Sequence, residues 1–273
     1  MSAMPANQAA TNDAHIIFDG VRMAFGGRTV FQSLSCAFPR GKITVILGGS
    51  GSGKSTVLRL IGGLVHPQGG RILVDGEDIT RLSERRLFGV RQKLGMMFQG
   101  GALLDSLTIF DNLAFPLREH TRLSEAEIAE VVHDCLQAVG LSDVDRLLPG
   151  QLSGGMTKRV ALARAIIRNP VILLCDEPFS GLDPISGRRI EGLLSSINDR
   201  YHMTMVVVSH HVASTMRMAE QVLVLLPDGA FQGTPDELRN RTDPRIVSFL
   251  REDIDEELAA VELPVEVAPG AHT

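Results

Sequence analysis

A glycine-rich run early in the chain has the composition of a phosphate-binding loop. The run "GGSGSGKST" follows the apolar segment "KITVIL" and fits the pattern G-x-x-x-x-G-K-[ST], with Gly48, Gly53, Lys54 and Ser55 at the fixed positions. Glycines allow backbone N–H groups to wrap around a phosphate, and the start of the next helix adds a partial positive charge. We therefore predict a nucleotide site in which Lys54 binds the β and γ oxygens and Ser55 binds Mg²⁺. The predicted contacts of this phosphate loop are Gly48, Gly49, Ser50, Gly51, Ser52, Gly53, Lys54, Ser55 and Thr56.

Two adjacent carboxylates follow another apolar strand. The segment "VILLCDEP" puts Asp176 and Glu177 just past the carboxyl end of that strand, the edge at which ligands bind in open α/β sheets. Asp176 is predicted to hold Mg²⁺ directly or through water, and Glu177 to accept a proton from an attacking water. The strand "TMVVVS" ends at the same edge, which predicts His210 close to the γ-phosphate. Gln99, in "MMFQGG", is a further predicted ligand of Mg²⁺ or of the water.

A second pair of glycines, in "QLSGGMTKRVALARAI", precedes a helix rich in Ala and Arg. Ser153, Gly154 and Gly155 could hold an anion at the N-terminus of that helix. The phosphate loop already supplies such a site in the same chain. The second loop, residues 152–156, therefore raises the question of whose phosphate it binds.

The order of the predicted elements indicates an α/β fold. Period-2 alternation in "HIIFDGVRMAF" and "VFQSLSCAF" predicts antiparallel strands before the phosphate loop. Strands and helices alternate again after Met156, which predicts a mostly parallel sheet with helices on both faces. Residues 99 to about 160 contain few strand signals and predict an inserted helical subdomain. Within it, Ser124 and Glu127 form a predicted capping box. The apolar face of the helix that follows is predicted to comprise Ile128, Val131, Val132, Cys135 and Val139.

The ends of the chain differ in composition from its centre. We predict a disordered lead-in over residues 1–14, an ATPase domain over 15–241, and a C-terminal helix and tail over 242–273. The amphipathic segment "PRIVSFLREDIDEELAAV" is the predicted helix of that extension.

Composition excludes several classes of protein. The hydrophobic fraction of 44% and charged fraction of 22% are typical of a globular protein. The net charge of −5 gives no electrostatic support for nucleic-acid binding. Three widely spaced cysteines predict small buried thiols in a reducing compartment. Because no window reaches the roughly 18 apolar residues of a membrane span, we expect any work at a membrane to require a partner.

In their order along the chain, the motifs resemble those of the ATPase subunits of ABC transporters. The matching residues are "GGSGSGKST", Gln99, "LSGGM", "LLCDEP", "SGLD" and "SH", and the resemblance covers about residues 15 to 240. The "LSGGM" run is the most specific of them, because other P-loop ATPases lack it. The resemblance implies a RecA-like P-loop NTPase with an N-terminal antiparallel β subdomain. It also implies ATP and Mg²⁺ as ligands.

The same resemblance answers the question raised by the second glycine loop. It implies a head-to-tail homodimer in which each ATP lies between the phosphate loop of one subunit and the signature loop, residues 152–156, of the other. Ser153, Gly154 and Gly155 would then contact the partner's γ-phosphate, and Asp183 of "SGLD" would cross the same interface. Phe25 resembles the aromatic residue that stacks on adenine.

Roles for the catalytic residues follow from the motifs and the resemblance together. Glu177 is the predicted general base, and Lys54 and His210 are predicted to hold the γ-phosphate. Mg²⁺ is assigned to Ser55, Gln99 and Asp176. In many relatives an Asp follows the histidine of "SH"; here His211 stands at that position.

A finer resemblance concerns the transported substrate. The stretches "FQGGALLDSLTIFDNLAFPLREHT", "GGMTKRVALARAI" and "DPRIVSFL" are similar to the ATPases of Mla-type phospholipid transporters, the MCE-associated systems of Gram-negative envelopes. This similarity implies an integral membrane permease, a periplasmic MCE-domain protein and a small STAS-domain protein as partners. It places the chain on the cytoplasmic face of the inner membrane. The C-terminal extension would reach across the partner ATPase. The apolar residues expected to form subdomain core or a groove for the permease are Leu103, Leu104, Leu107, Ile109, Phe110, Leu113 and Phe115.

Three other functions remain as alternatives at this stage. One is the ATPase of an importer for amino acids or another small solute, which would have a similar length. Another is a non-transport ABC ATPase acting on DNA or ribosomes, which usually carries two cassettes or a long coiled-coil insertion. The third is a P-loop kinase of small metabolites, which would lack "LSGGM".

Overall fold

The computed structural model describes residues 13–250. Residues 1–12 of the predicted lead-in and most of the predicted C-terminal helix therefore lie outside the described residues, whereas Ala14 of the predicted lead-in already belongs to a strand. Within the described part, residues 244–250 are helical. Ile246 is buried there, and Phe249 and Leu250 pack on the main apolar core of the same chain.

The predicted antiparallel N-terminal sheet is confirmed. Strand β1 (Ala14–Phe25) pairs with β2 (Arg28–Pro39) on one side and β4 (Gly69–Val74) on the other, and β4 pairs with β5 (Glu77–Asp78). The alternation seen in the sequence puts one face of this sheet in the core. Phe18 and Phe38 meet there edge to face, with ring centroids 6.1 Å apart.

The second sheet carries the residues predicted to do chemistry. Its order is β10-β9-β3-β8-β7-β6. All neighbouring strands are parallel except β10, which runs antiparallel to β9. All six residues of β3 are buried, as expected for a parallel strand covered on both faces. The strands are β3 (Ile43–Gly48), β6 (Leu94–Met97), β7 (Ile172–Asp176), β8 (Thr204–Val208), β9 (Gln221–Leu226) and β10 (Gly229–Gly233).

Helices cover both faces of this sheet, as predicted. Alternate residues of β3 face two different cores: Ile46 packs with helix α1 and the antiparallel sheet, whereas Val45 and Leu47 pack with the later helices. The helices are α1 (Lys54–Ile61), α2 (Glu84–Arg91), α3 (Ile109–His120), α4 (Glu125–Ala138), α5 (Gly154–Ile166), α6 (Pro184–Tyr201), α7 (Val212–Met218) and α8 (Pro235–Arg239). No helix within residues 13–250 combines the length and the hydropathy that a bilayer crossing requires.

Helices α3 and α4 and most of α5 occupy the range of the predicted helical subdomain. The predicted capping box is present: Glu127 N donates to Ser124 Oγ at 3.3 Å, and Ser124 N donates to Glu127 Oε2 at 2.7 Å. On the α4 face, Ile128, Val132 and Val139 are buried. Val131 and Cys135 are only partly buried, and the buried Leu136 was missing from the predicted face.

Several short elements were not predicted. Helix α2 and strand β6 lie in the stretch before Gln99, and β10 and α8 follow β9. Helix α7 ends at Met218, before Glu220. Glu220 instead pairs with β3, because its N–H donates to Ile43 O at 3.0 Å and its carboxylate binds Lys42 at 2.5 Å.

The three cysteines are free thiols in three different parts of the fold. Cys36 on β2 and Cys175 on β7 are buried as predicted, whereas Cys135 on α4 is partly buried. Cys135 Sγ donates to Ala163 O at 3.2 Å. Burial raises the pKa of the Cys36 thiol and raises the pKa of Cys135 and Cys175 to about 12, so all three are protonated near neutral pH.

Candidate nucleotide site

The phosphate loop between β3 and α1 requires glycine at two of its fixed positions. Gly48 has φ of +151° and Gly53 has φ of +100°, both within the region that side chains disfavour. A Cβ at Gly53 would lie 2.6 Å from Phe31 Cζ and Val30 Cγ1. The chain therefore folds this loop tightly against β2 before any ligand is considered.

Lys54 begins α1 and bends back over the loop. Its Nζ donates to the carbonyls of Gly48 at 2.7 Å and Gly49 at 3.2 Å. Burial lowers the pKa of the Lys54 ammonium, while the carboxylates of Glu177 and Asp176 act in the opposite direction. The ammonium therefore lies on the loop within electrostatic reach of the two carboxylates, and its predicted contact with the β and γ oxygens stays a prediction.

Ser55 and Asp176 meet, although they come from different strand ends. Ser55 Oγ donates to Asp176 Oδ1 at 3.0 Å. This contact joins the first turn of α1 to the end of β7, two neighbouring points on the carboxyl edge of the sheet. A hydroxyl and a carboxylate oxygen at this distance are the kind of pair that Mg²⁺ binds.

Glu177 has a strained backbone and a direct contact with His210. Its φ is +49°, unusual for a residue with a side chain. Glu177 N donates to Val208 O at 3.0 Å, and its Oε2 lies 2.7 Å from His210 Nδ1. The Glu177 carboxylate is 12% exposed and the His210 ring 53%, so the histidine lies on the solvent side. The two predicted catalytic residues are thus brought together.

His211 follows His210 and faces the protein. Its ring packs at an angle against His210, with centroids 4.2 Å apart, and edge-on to Phe179 at 6.4 Å. His211 N donates to Ser209 Oγ at 3.0 Å. The residue that replaces the usual Asp therefore packs beside His210, the predicted catalytic histidine.

Gln99 lies two residues past the end of β6 with an exposed side chain. Its backbone carbonyl accepts a hydrogen bond from Lys158 Nζ at 2.6 Å. Among the described residues its side-chain amide has no hydrogen-bond partner. The predicted role of that amide at Mg²⁺ or water stays a prediction.

The signature loop lies at the start of α5 and is open to solvent. Ser153 and Gly154 are exposed, and Ser153 Oγ caps the helix by accepting from Met156 N at 3.3 Å. A Cβ at Gly154 would come no closer than 3.8 Å to its nearest neighbour, Leu182 Cδ2. Asp183 likewise caps α6, with Oδ1 accepting from the backbone N–H groups of residues 185 and 186.

Phe25 stands at the end of β1 with 44% of its surface exposed. An exposed aromatic ring at a strand end is free to stack on a flat ligand. Its predicted contact with adenine remains a prediction.

Sequence reasoning gave no role to one residue that joins several parts of this site. Lys158, on α5, is only 7% exposed, and its Nζ contacts the backbone of Gln99 and of Glu177 and the side chain of Ser180. In the sequence it is one of several basic residues in "TKRVALARAI" and resembles a solvated charge.

Comparison with known proteins identifies the family. Residues 31–180 match the model of the ABC transporter family. The chain belongs to this family and is an ATP-binding cassette with ATPase activity. The P-loop NTPase fold predicted from the sequence is confirmed as well.

Three relatives are named as ATP-binding proteins of transport. The intermembrane phospholipid transport system ATP-binding protein MlaF of Haemophilus influenzae is 45% identical over 231 residues, which cover 84% of this chain and 88% of the relative. MlaF of Escherichia coli K12 is 45% identical over 226 residues, covering 82% and 84%. The probable ribonucleotide transport ATP-binding protein mkl of Mycobacterium tuberculosis is 38% identical over 229 residues, covering 84% of this chain and 64% of that protein.

Solved structures agree with the family assignment. The dimeric post-hydrolysis state of the ATP-binding cassette MJ0796, bound to ADP and Pi, is 30% identical with a TM-score of 0.74 and covers 81% of this chain and 98% of that one. CbiO1 from Clostridium perfringens, part of the transporter complex cbiONQ, is 25% identical with a TM-score of 0.77, covering 92% and 100%.

Proposed function

We propose that this chain is the ATP-hydrolysing subunit of an Mla-type transporter that moves phospholipid between the inner and outer membranes. The observation that carries the proposal is the 45% identity to two MlaF proteins over most of both chains. We take residues 15–241 as the ATPase domain, with the helical subdomain at about 99–160 and a C-terminal extension over 242–273.

The residues of the site fit MgATP. Ser52 Oγ is buried in the phosphate loop and has no hydrogen-bond partner among the described residues, so it is available to a bound anion. Gly53, the N-cap of α1, has no side chain to occupy the first N–H groups of the helix. Ser55 and Asp176 offer paired oxygens for Mg²⁺, with Gln99 as a third ligand. When bound, Mg²⁺ would neutralise charge on the β- and γ-phosphates.

Proton transfer is the task of Glu177. Its carboxylate lies at the carboxyl edge of the sheet beside Asp176, and its contact with His210 fixes its orientation. We assign Glu177 as the general base that accepts the proton of the attacking water. Lys54 and His210 then hold the γ-phosphate.

The second half of each site comes from a second copy of the chain. The dimeric structures of the MJ0796 cassette, one of them bound to ADP and Pi, support a nucleotide-bound dimer, for which we propose two-fold symmetry. In that arrangement Ser153, Gly154 and Gly155 contact the partner's γ-phosphate, and Asp183 crosses the interface. Phe25 stacks on the adenine of its own subunit's ATP. Hydrolysis removes a contact shared by both subunits, which lets the dimer open.

We place the permease contact on the segment before and along α3. Of its seven apolar residues, Ile109 and Leu113 are buried, whereas Leu104 is 45% and Phe115 48% exposed. The buried side chain of Asn112 donates to three carbonyls of residues 104–108 and accepts from Leu104 N at 2.7 Å, which holds this surface rigid. The exposed apolar residues would bind a helix of the permease.

The proposed assembly also includes a periplasmic MCE-domain protein and a STAS-domain protein. The permease would hold the chain on the cytoplasmic face of the inner membrane.

A pull-down from native membranes in mild detergent, with the full chain as bait, tests this proposal. We expect mass spectrometry to find a permease, an MCE-domain protein and phospholipid. A different permease with a solute-binding protein, or with ribonucleotide, would overturn the lipid assignment and leave the ATPase assignment intact.

Two variants of the bait test whether the permease binds the exposed apolar residues before and along α3. Phe115→Asp should lose the permease, because the charge would lie in the apolar contact. Tyr201→Ser, which changes a comparably exposed ring at the end of α6, should retain it. Equal recovery with both baits would contradict the proposed docking surface.

A further inference from the structure

Lys158 is a buried cation between two loops, the one that follows β6 and the one that follows β7. It lies one turn into α5 and is 7% exposed. Its Nζ donates to Gln99 O at 2.6 Å, Glu177 O at 3.1 Å and Ser180 Oγ at 3.1 Å. These three acceptors use all the N–H groups of the ammonium. Lysine is rarely buried unless its charge is satisfied, so the contacts explain why the residue stays inside.

The contact to Glu177 is the one that bears on catalysis, because Glu177 is the proposed general base. The backbone of that residue is in the left-handed region, which a side chain disfavours and which surrounding contacts must maintain. Its N–H is held by Val208 O at 3.0 Å, and its carbonyl accepts from both Lys158 Nζ and Ser180 Oγ, the latter at 2.9 Å. Lys158 therefore supports the backbone conformation that aims the Glu177 carboxylate.

The same helix holds the loop that follows β6 at two points. Lys158 binds Gln99 O, and two turns later Arg164 donates to Ala102 O at 2.7 Å and Gly101 O at 3.3 Å. Ala102, like Glu177, has a positive φ. A displacement of α5 along its axis would therefore move residues 99–102 and the backbone of Glu177 together.

We propose that Lys158 is a positioning residue that connects the signature loop at the start of α5 with Glu177 and Gln99 of its own subunit. Contact between the signature loop and the partner's ATP fixes α5, and Lys158 transmits that position to the general base. One ATP site thereby prepares the other. This inference rests on the proposed roles of Glu177 and of the signature loop.

The test compares Lys158→Met and Lys158→Arg in the full-length chain. For Lys158→Met we expect kcat for ATP hydrolysis to fall about 10-fold or more, since small displacements of a catalytic group have large effects on rate. The Kd for ATP, measured by fluorescence titration, should stay within about 2-fold, because the phosphate loop is untouched. The Hill coefficient for ATP should fall towards 1. Lys158→Arg keeps the charge and the donors, and should restore at least half of kcat.

Each part of the proposal has a result that overturns it. An unchanged kcat in Lys158→Met, or a rise in Kd as large as the fall in kcat, would exclude a positioning role. A Hill coefficient that stays at the wild-type value while kcat falls would exclude the connection to the partner's ATP. Failure of Lys158→Arg to restore activity would exclude the hydrogen bonds as the cause.

Arg164→Gln is the matched control. It removes the other cationic contact between α5 and the loop, at residues 101 and 102, but leaves the Glu177 carbonyl alone. We expect it to retain at least half of kcat. A fall equal to that of Lys158→Met would show that the loop matters and that Glu177 does not, which overturns the proposal.

Two further variants keep the interpretation unambiguous. Glu177→Gln tests the proposed function itself: full activity in that variant would refute the general base, independently of Lys158. If neither Lys158 variant folds, Ser180→Ala removes one hydrogen bond to the same Glu177 carbonyl. We expect kcat of Ser180→Ala to fall about 2- to 5-fold at unchanged Kd; unchanged kcat would overturn the proposal.

Discussion

The two glycine-containing loops of this chain differ in what a side chain would meet there. In the phosphate loop, a Cβ at Gly48 would lie 2.7 Å from Ser52 Oγ and 2.8 Å from Leu225 O, and one at Gly53 would clash with β2. In the signature loop, a Cβ at Gly154 or Gly155 would meet its nearest neighbour at 3.8 Å and 3.5 Å, with no positive φ at either position.

This difference separates two reasons for a glycine. The phosphate loop needs glycine at positions 48 and 53 so that the chain can fold upon itself. The signature loop has room for a methyl group within its own subunit, so the requirement for glycine there must come from a ligand or a partner. The geometry of a single chain thus agrees with a signature loop that contacts the nucleotide of another chain.

The largest expected effect concerns the reaction itself, because the comparison assumes that Glu177 acts on an ATP held by the phosphate loop of its own subunit and the signature loop of the partner. Glu177→Gln should reduce turnover by roughly 10²-fold or more while ATP binding is retained, because the amide cannot accept the proton of water. Steady-state ATPase rates and nucleotide titration measure the two quantities. Wild-type turnover in this variant would mean that Glu177 is not the general base of the reaction that both loops are proposed to serve.

Gly53→Ala tests the first half of the comparison. The methyl group would clash with Phe31 and Val30 at a backbone position of φ +100°, so we expect a loss of about 2–4 kcal/mol of unfolding free energy. Urea denaturation without nucleotide measures it. A stability equal to wild type would mean that glycine at Gly53 serves only the ligand.

Gly154→Ala tests the second half. The methyl group has room in the monomer, so we expect the free energy of unfolding to change by less than about 0.5 kcal/mol. Turnover should fall about 10-fold, because the methyl group would enter the contact with the partner's phosphate. ATP affinity of the monomer serves as the control and should be unchanged. A clear loss of unfolding free energy in Gly154→Ala would mean that the signature loop, like the phosphate loop, needs glycine for its own fold.

Asp75→Asn, remote from both loops in sequence, should give the smallest effect and calibrates the stability measurements. Hydrogen bonds from Lys93 and Arg40 lower the pKa of Asp75 to about 2 from 3.8, and Asn tolerates the positive φ at this position. A lowered pKa contributes stability that is present above about pH 4 and lost as pH falls through 2. We expect the variant to lose about 1 kcal/mol at pH 7, with the difference shrinking below pH 4. A difference independent of pH would contradict the ion-pair origin.

The sequence predicted the fold where strong local patterns occur. The phosphate loop, the capping box of α4 and the buried parallel strands follow from short-range chemistry, and all were found. Strand β6 has only four residues, with glycine and two methionines, and β10 is rich in glycine, so neither carries a clear period-2 pattern. Their pairing is decided by the neighbouring strands.

The part of the site that lies at strand ends was predictable from the sequence. Ser55 with Asp176 and Glu177 with His210 could be paired because parallel strands end at one edge. Lys158 could not be found in this way, because its acceptors lie in loops that are distant in sequence and the sequence does not distinguish its charge from that of Arg159 and Arg164 on the same helix.

The three thiols, of which Cys36 and Cys175 are buried and Cys135 is partly buried, can serve as native probes of local opening. Alkylation requires a thiolate that a reagent can reach, and burial raises the pKa of each thiol while blocking access. Cys36 belongs to the antiparallel sheet, Cys135 to the helical region and Cys175 to the strand that carries Asp176. The rate of mass labelling at each cysteine therefore follows the opening of one region. Labelling with and without nucleotide would show which of the three regions the ligand protects, in the native chain and without introducing a probe.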